Sequence, residues 1–281
     1  FVPQQDIWNI AALAVGVAFF SASQDIVLDA YRRELLRDAE LGLGNTVHIN
    51  AYRLASLVPG SLSLILADRL PWPWVFAITA LFMLPGVALT LAVSEPALRA
   101  AAPKTLRDAV VLPFKEFISR QGWRGAAWVL GFIFLYKLGD SMATALATPF
   151  YLDTGFSKTE IGLVAKHAGL WPAVIGGLLG GAWMLKLGIN RALWVFGVVQ
   201  CVSILGFVLL DQMGPDLRVL ALAIGFEALG VGLGTAAFIA FLARSTHPAY
   251  TATQFALFTS LAAVPRTVAN AATGYLVESL G

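Results

Sequence analysis

Asp25 and Asp29 stand four residues apart in the string SASQDIVLDAYRRE, a spacing that places both carboxyls on one face of a helix. Two carboxyls held away from water can take up and release a proton, because burial and like charge both favour the neutral form. Asp25 and Asp29 are therefore candidate proton carriers, with Gln24 beside them as a polar contact for a solute. The competing assignment for Asp29 is an ion pair with Arg32 or Arg33. Lys137 and Asp140 form a second constellation in LYKLGDSMAT, three residues apart, and Thr144 and Thr148 continue the same stripe. Such a stripe suits a water-lined wall in which Lys137 and Thr144 meet a solute and Asp140 titrates. Its alternative is a self-satisfied ion pair that only locks helices together.

Three further charges lie in apolar surroundings, where an ionisable group faces a cavity or a partner. Arg53 follows His48 and Asn50, and Arg266 precedes Asn270 and Thr273, so each presents a cation with amide or hydroxyl groups. Arg53, Arg266 and Asn270 are the groups that binding a solute with carboxylates, hydroxyls and amides would require. Glu227 is either another proton site or the partner of one of the arginines. Gln254 either touches the solute or ends a helix.

Other chemistries are excluded. The GDS string at Gly139 to Ser141 has no histidine placed to activate a nucleophile. The GxGxG run at Gly230 to Gly234 is preceded by no strand and followed by apolar residues, which argues against a nucleotide site. His48, His167 and His247 lack metal-ligand spacing, and there is no HExxH or paired cysteine. An enzyme is not expected, nor a metal or other cofactor.

The elements that must position these residues follow from composition. Of 281 residues 58% are hydrophobic and 13% charged, against about 25% charged in an ordinary soluble domain. Apolar runs near the ~20 residues needed to cross a bilayer alternate with charged loops. Eight spans are predicted: Trp8 to Tyr31, Thr46 to Ala67, Val75 to Ser94, Ala126 to Leu152, Ile161 to Leu187, Ala192 to Leu210, Leu217 to Leu242 and Thr251 to Leu280. The fold class is all-α, a polytopic transmembrane helix bundle. Between the third and fourth spans, Thr105 to Arg120 reads as an amphipathic helix at the interface, which Pro113 must bend or break.

Three parts are expected: residues 1–94 with three spans, 95–124 as a cytoplasmic linker, and 125–281 with five spans. If the first span ends inside, most Lys and Arg residues, including Arg32, Arg33, Lys104, Arg107, Lys115 and Arg120, fall on the cytoplasmic side. Only Arg69, Lys158 and Arg218 then lie clearly outside, and this bias sets the orientation. The glycines of Gly176, Gly177, Gly180 and Gly181 form small-xxx-small pairs that permit close helix crossing. The net charge is +2 with no basic stripe, so nucleic acid is not a partner; the lipid bilayer and a small-molecule solute are. The chain opens at Phe1 and is expected to be a piece of a longer protein.

Five strings carry a resemblance that runs through the chain in order: SASQDIVLDAYRRE, LYKLGDSMAT, TQFAL at Thr253 to Leu257, the glycine run at Gly230, and GYLVE at Gly274 to Glu278. Gly181, Lys186, Gly188 and Arg191 add a trace of a loop motif of the same group, with Leu185 where that motif carries Asp. Together they resemble the AmpG-type muropeptide permeases of the major facilitator group. The resemblance implies two six-helix halves that rock around a central site, of which this chain lacks spans at both ends. It also implies import of anhydro-muropeptides (GlcNAc-anhydroMurNAc with or without peptide) across the bacterial inner membrane, driven by protons. Such import would serve cell-wall recycling and β-lactamase induction by a carrier acting as a monomer. The alternative is a facilitator of another solute, such as acetyl-CoA, a small nutrient or a drug.

Overall fold

The structure is a computed structural model that describes residues 6–94 and 105–280. Among them the order is α1 (Ile7–Leu35), α2 (Leu41–Ala55), a π-helical turn (Val58–Leu62), α3 (Ser63–Ala67), α4 (Trp72–Leu81), α5 (Leu84–Ala92) and α6 (Leu106–Tyr136). There follow α7 (Leu138–Asp153), α8 (Lys158–Leu187), α9 (Ile189–Met213), α10 (Leu217–Ser245) and α11 (Thr251–Leu280). The all-α class read from composition is the architecture observed. Six stretches among the described residues are long and apolar enough to cross a membrane: Ile7–Leu35, Trp72–Ala92, Arg107–Asp153, Thr159–Leu187, Ile189–Met213 and Leu217–Ser245. The second expected span is the path through α2, the π turn and α3, and the eighth is α11.

The interruption of the second span has a local cause. Pro59 lies at the start of the π turn and brings no backbone N–H, and the Ser63 hydroxyl donates to the Val58 carbonyl at 3.2 Å. In α6 the helix does not break at Pro113, where the sequence predicts a bend or a break. The proline is carried inside the helix, and the chain turns instead at Gly122, where φ is 68° and ψ is 159°. Only glycine adopts that conformation without a Cβ clash. Residues 106–121 thus form one arm and the following span another. The arm begins at Thr105, whose side chain accepts from the Asp108 N–H at 3.1 Å. A capping box opens α8: Ser157 Oγ accepts the Glu160 N–H at 3.2 Å while the Glu160 carboxylate accepts the Ser157 N–H at 2.9 Å.

The contacts gather the helices into two compact units. The first holds the described parts of 1–38, 98–145 and 242–281. Within it α11 packs on α1 and on α6, and the ring of Phe117 meets Phe258 edge-on at 5.2 Å. The second holds the described parts of 39–97 and 146–241. Its aromatic cluster joins Tyr151, Phe156, Ile161, Leu210, Leu220 and Ile224.

In this second unit α8 is bare backbone on two faces. A methyl placed on Gly177 would lie 3.0 Å from the Asn50 side chain and one on Gly181 would lie 2.6 Å from Thr46 Oγ1, so this face receives α2. A methyl on Gly180 would lie 3.2 Å from the Leu233 Cα and one on Gly176 would meet the Leu229 carbonyl, so the neighbouring face receives α10. The paired glycines predicted from sequence to allow close crossing do so, one register for each partner.

Candidate functional site

Within the first unit, α1 carries its polar residues along one side. Gln24 and Asp25 are exposed, and Asp29 is partly buried. Asp29 Oδ1 accepts from Arg32 Nη2 at 2.6 Å, the i,i+3 pairing set against the proton role in sequence. The Arg32 guanidinium lies over the ring of Phe255, 5.8 Å from its centroid, so α11 supplies an aromatic face to the cation. Arg32 Nη1 is buried and makes no hydrogen bond among the described residues. One face of the guanidinium is thus committed to Asp29, and another donor is left over.

Lys137 closes α6 and Asp140 opens the first turn of α7. Their side chains meet at 3.0 Å with 16% and 15% of their surfaces exposed. Thr144 is exposed and donates its hydroxyl to the Asp140 carbonyl at 2.9 Å. The two charges are therefore paired across the junction of α6 and α7. Gln254 is buried to 1% exposure and is bound to the arm of α6 and to the turn before α11. The side chains of Arg266 and Asn270 lie outside the described residues.

The second unit holds the remaining candidates. Arg53 Nη1 donates to the Ala173 carbonyl, and Asn50 Nδ2 donates to the Val174 carbonyl at 3.3 Å. Both therefore join α2 to α8 just past Pro172. His48 is exposed. Glu227 is partly buried on α10. Among the described residues no group of three or more His, Cys, Asp or Glu could hold a metal ion.

Two features were not visible in the sequence reading as site elements. Arg32 stood there only as a partner for Asp29; its position over Phe255 depends on a residue more than two hundred positions away, for which no local signal exists. Arg33 donates Nε to the Ala243 carbonyl at 2.8 Å and Nη2 to Asp38 at 2.9 Å, and is buried. Its burial beside the exposed Arg37 could not be told from composition alone.

A family model described as Major Facilitator Superfamily matches residues 1–270. An uncharacterized protein of Haemophilus influenzae is 52% identical, over 100% of this chain and 68% of its own length. The anhydromuropeptide permease of Escherichia coli K12 is 41% identical, over 97% of this chain and 55% of its own length. A putative transporter AmpG 4 of Rickettsia felis is 28% identical, over 99% of this chain and 68% of its own length. The chain thus spans only 55% of the permease it matches. It belongs to the major facilitator superfamily.

Proposed function

We propose that this member of the major facilitator superfamily is the larger part of a proton-coupled carrier that imports anhydro-muropeptides across the bacterial inner membrane. The likeness to the permease supports the solute class, and the Asp29–Arg32 pair is the observation that carries the mechanism. A carboxylate 2.6 Å from a guanidinium holds it while charged. A proton taken by Asp29 neutralises that carboxyl and releases the cation. Arg32, steadied on the face of Phe255, then offers its donors to a carboxylate of the peptide-bearing sugar. Return of the proton to the other side restores the pair and expels the solute. Coupling then arises because the solute carboxylate can replace that of Asp29 on the guanidinium only while Asp29 holds a proton, so the two travel together. Lys137 with Asp140 is built the same way, at 3.0 Å. Asp25, Asp140 and Glu227 are the further proton candidates. Gln24, Arg53, Thr144, Arg266 and Asn270 are candidate solute contacts, with no cofactor beyond the proton gradient.

The test uses the full-length carrier in proteoliposomes with a labelled anhydro-muropeptide. Asp29→Asn keeps shape and removes titration, so uphill accumulation is expected to vanish while solute exchange survives. Arg32→Gln is expected to slow both. If Asn at both Asp25 and Asp29 leaves accumulation intact, the proton runs elsewhere and this mechanism is wrong. Uptake of acetyl-CoA or a small nutrient in place of the muropeptide would overturn the solute assignment.

A further inference from the structure

A proline inside a helix leaves a vacancy: it has no N–H for the carbonyl four residues back, and its ring pushes that carbonyl outward. For Pro113 the vacated carbonyl is that of Ala109. In the first unit this oxygen receives the hydroxyl of Thr253, from α11, at 3.1 Å. The next residue, Gln254, donates Nε2 to the carbonyl of Pro113 itself at 2.9 Å and to Glu116 Oε2 at 2.7 Å. Its Oε1 accepts the N–H of His247 at 2.6 Å. Gln254 is 1% exposed, so its amide is spent on these partners and is closed to solvent. Glu116 pairs in turn with Arg120 at 3.0 Å, and Arg120 donates to the Ser245 carbonyl at 2.8 Å, at the end of α10. Phe117 and Phe258 seal the same face.

We infer that Thr253 and Gln254 are a docking element for the 106–121 arm, which recognise it through the carbonyl that Pro113 leaves open. The arm is consequently clamped on the α10–α11 turn instead of lying loose at the interface. Three independent observations converge on this. The acceptor that Thr253 meets is the one backbone oxygen of that helix turn that the proline frees. Gln254 reads the carbonyl of Pro113, one turn on, and the neighbouring carboxylate at once. Arg120 ties the same carboxylate to the far end of the turn. Gln254 is on this reading a positioning residue and touches no solute. The inference is independent of what is carried.

A double-mutant cycle tests it in the full-length carrier with Cys201 and every cysteine outside this chain replaced by Ser, and Ala109→Cys as reporter. The substitution at 109 leaves the carbonyl in place, and its half-buried side chain reacts with a thiol reagent when the arm lifts. Thr253→Val is expected to raise the labelling rate about tenfold, as for a buried carbonyl that loses its donor. Pro113→Ala restores the intrahelical N–H, so in that background Thr253→Val is expected to change the rate by less than about twofold. Thr253→Ser keeps the hydroxyl and is expected to label at the parental rate, which separates loss of the bond from loss of folding. Equal acceleration in both backgrounds, or none in either, would overturn the inference. A second arm checks Gln254. Gln254→Glu puts a carboxylate against Glu116 and is expected to undock the arm, and adding Glu116→Gln is expected to redock it. Failure of that rescue would count against the role given to Gln254.

Discussion

Gly232 lies where α10 crosses α8, and a single methyl there tests how these helices are held. A methyl on Gly232 would come within 2.8 Å of the Gly177 nitrogen and still closer to the carbonyl oxygen of Ala173, whereas ordinary contact begins near 3.4 Å. Both neighbours are backbone, so no side chain can swing away and the axes must part by ~0.6 Å or more along the whole crossing. Overpacking a tight core costs about 1–3 kcal/mol, and a rigid neighbour places this case at ~3 kcal/mol. In a chain of this size that is a fall in Tm of roughly 6–12 °C. Gly232→Ala is to be compared with Gly162→Ala on α8, where a methyl meets nothing within 4 Å. The control should hold its Tm or gain slightly, since alanine is the better helix former. The assay is the thermal loss of monodisperse full-length carrier in detergent, read by fluorescence-detected size exclusion at one heating rate. Equal Tm for the two variants would refute the reasoning, because the crossing would then have slack that the backbone distances deny.

Two more outcomes are expected. Exchanging the charges of Lys137 and Asp140 together should preserve expression better than reversing either alone, by at least several-fold, because each single reversal leaves two like charges about 3 Å apart; normal expression and uptake in both singles would make the pair incidental. A membrane-impermeant thiol reagent applied to intact cells should label a cysteine placed at Lys158 and spare one at Lys104, and the reverse pattern would invert the orientation drawn from the basic loops.

How much of this was legible in sequence depended on the range of the signal. Apolar runs of ~20 residues announce spans directly, because the hydrocarbon core has a fixed thickness. The runs ending at Leu187, Met213 and Leu280 were therefore placed within a few residues of the observed ends. Backbone detail inside a span was harder. Pro113 was expected to bend or break its helix; the helix continues through it, and a tertiary donor on Thr253 takes the carbonyl left open. Gly122 has the left-handed conformation, but a glycine among twenty-five others gives no local sign of it. The i,i+3 pairs Asp29–Arg32 and Lys137–Asp140 were visible from spacing alone. The partners of Gln254 lie 138 and 141 residues away on the arm, and no pattern in TQFAL points to them.

The two glycine registers of α8 say how its neighbours are held. Successive residues of an α-helix are about 100° apart, so Gly176 and Gly177 open two different faces, and Gly180 and Gly181 repeat the pair one turn on. α10 sets its main chain on the first register, and α2 sets the side chains of Asn50 and Thr46 on the second. Rotamers are the usual cushion between helices, and toward α10 the nearest atoms are backbone with none to adjust. The polar contacts add to this, because Arg53 and Asn50 hold the carbonyls of Ala173 and Val174, which stand between Pro172 and those glycines. A shear of α2 along α8 would strip both carbonyls of their second donor and drive the Asn50 side chain toward Gly177. The physical consequence is that α2, α8 and the part of α10 in this unit are packed as one group, by backbone approach on one side and by polar contacts on the other.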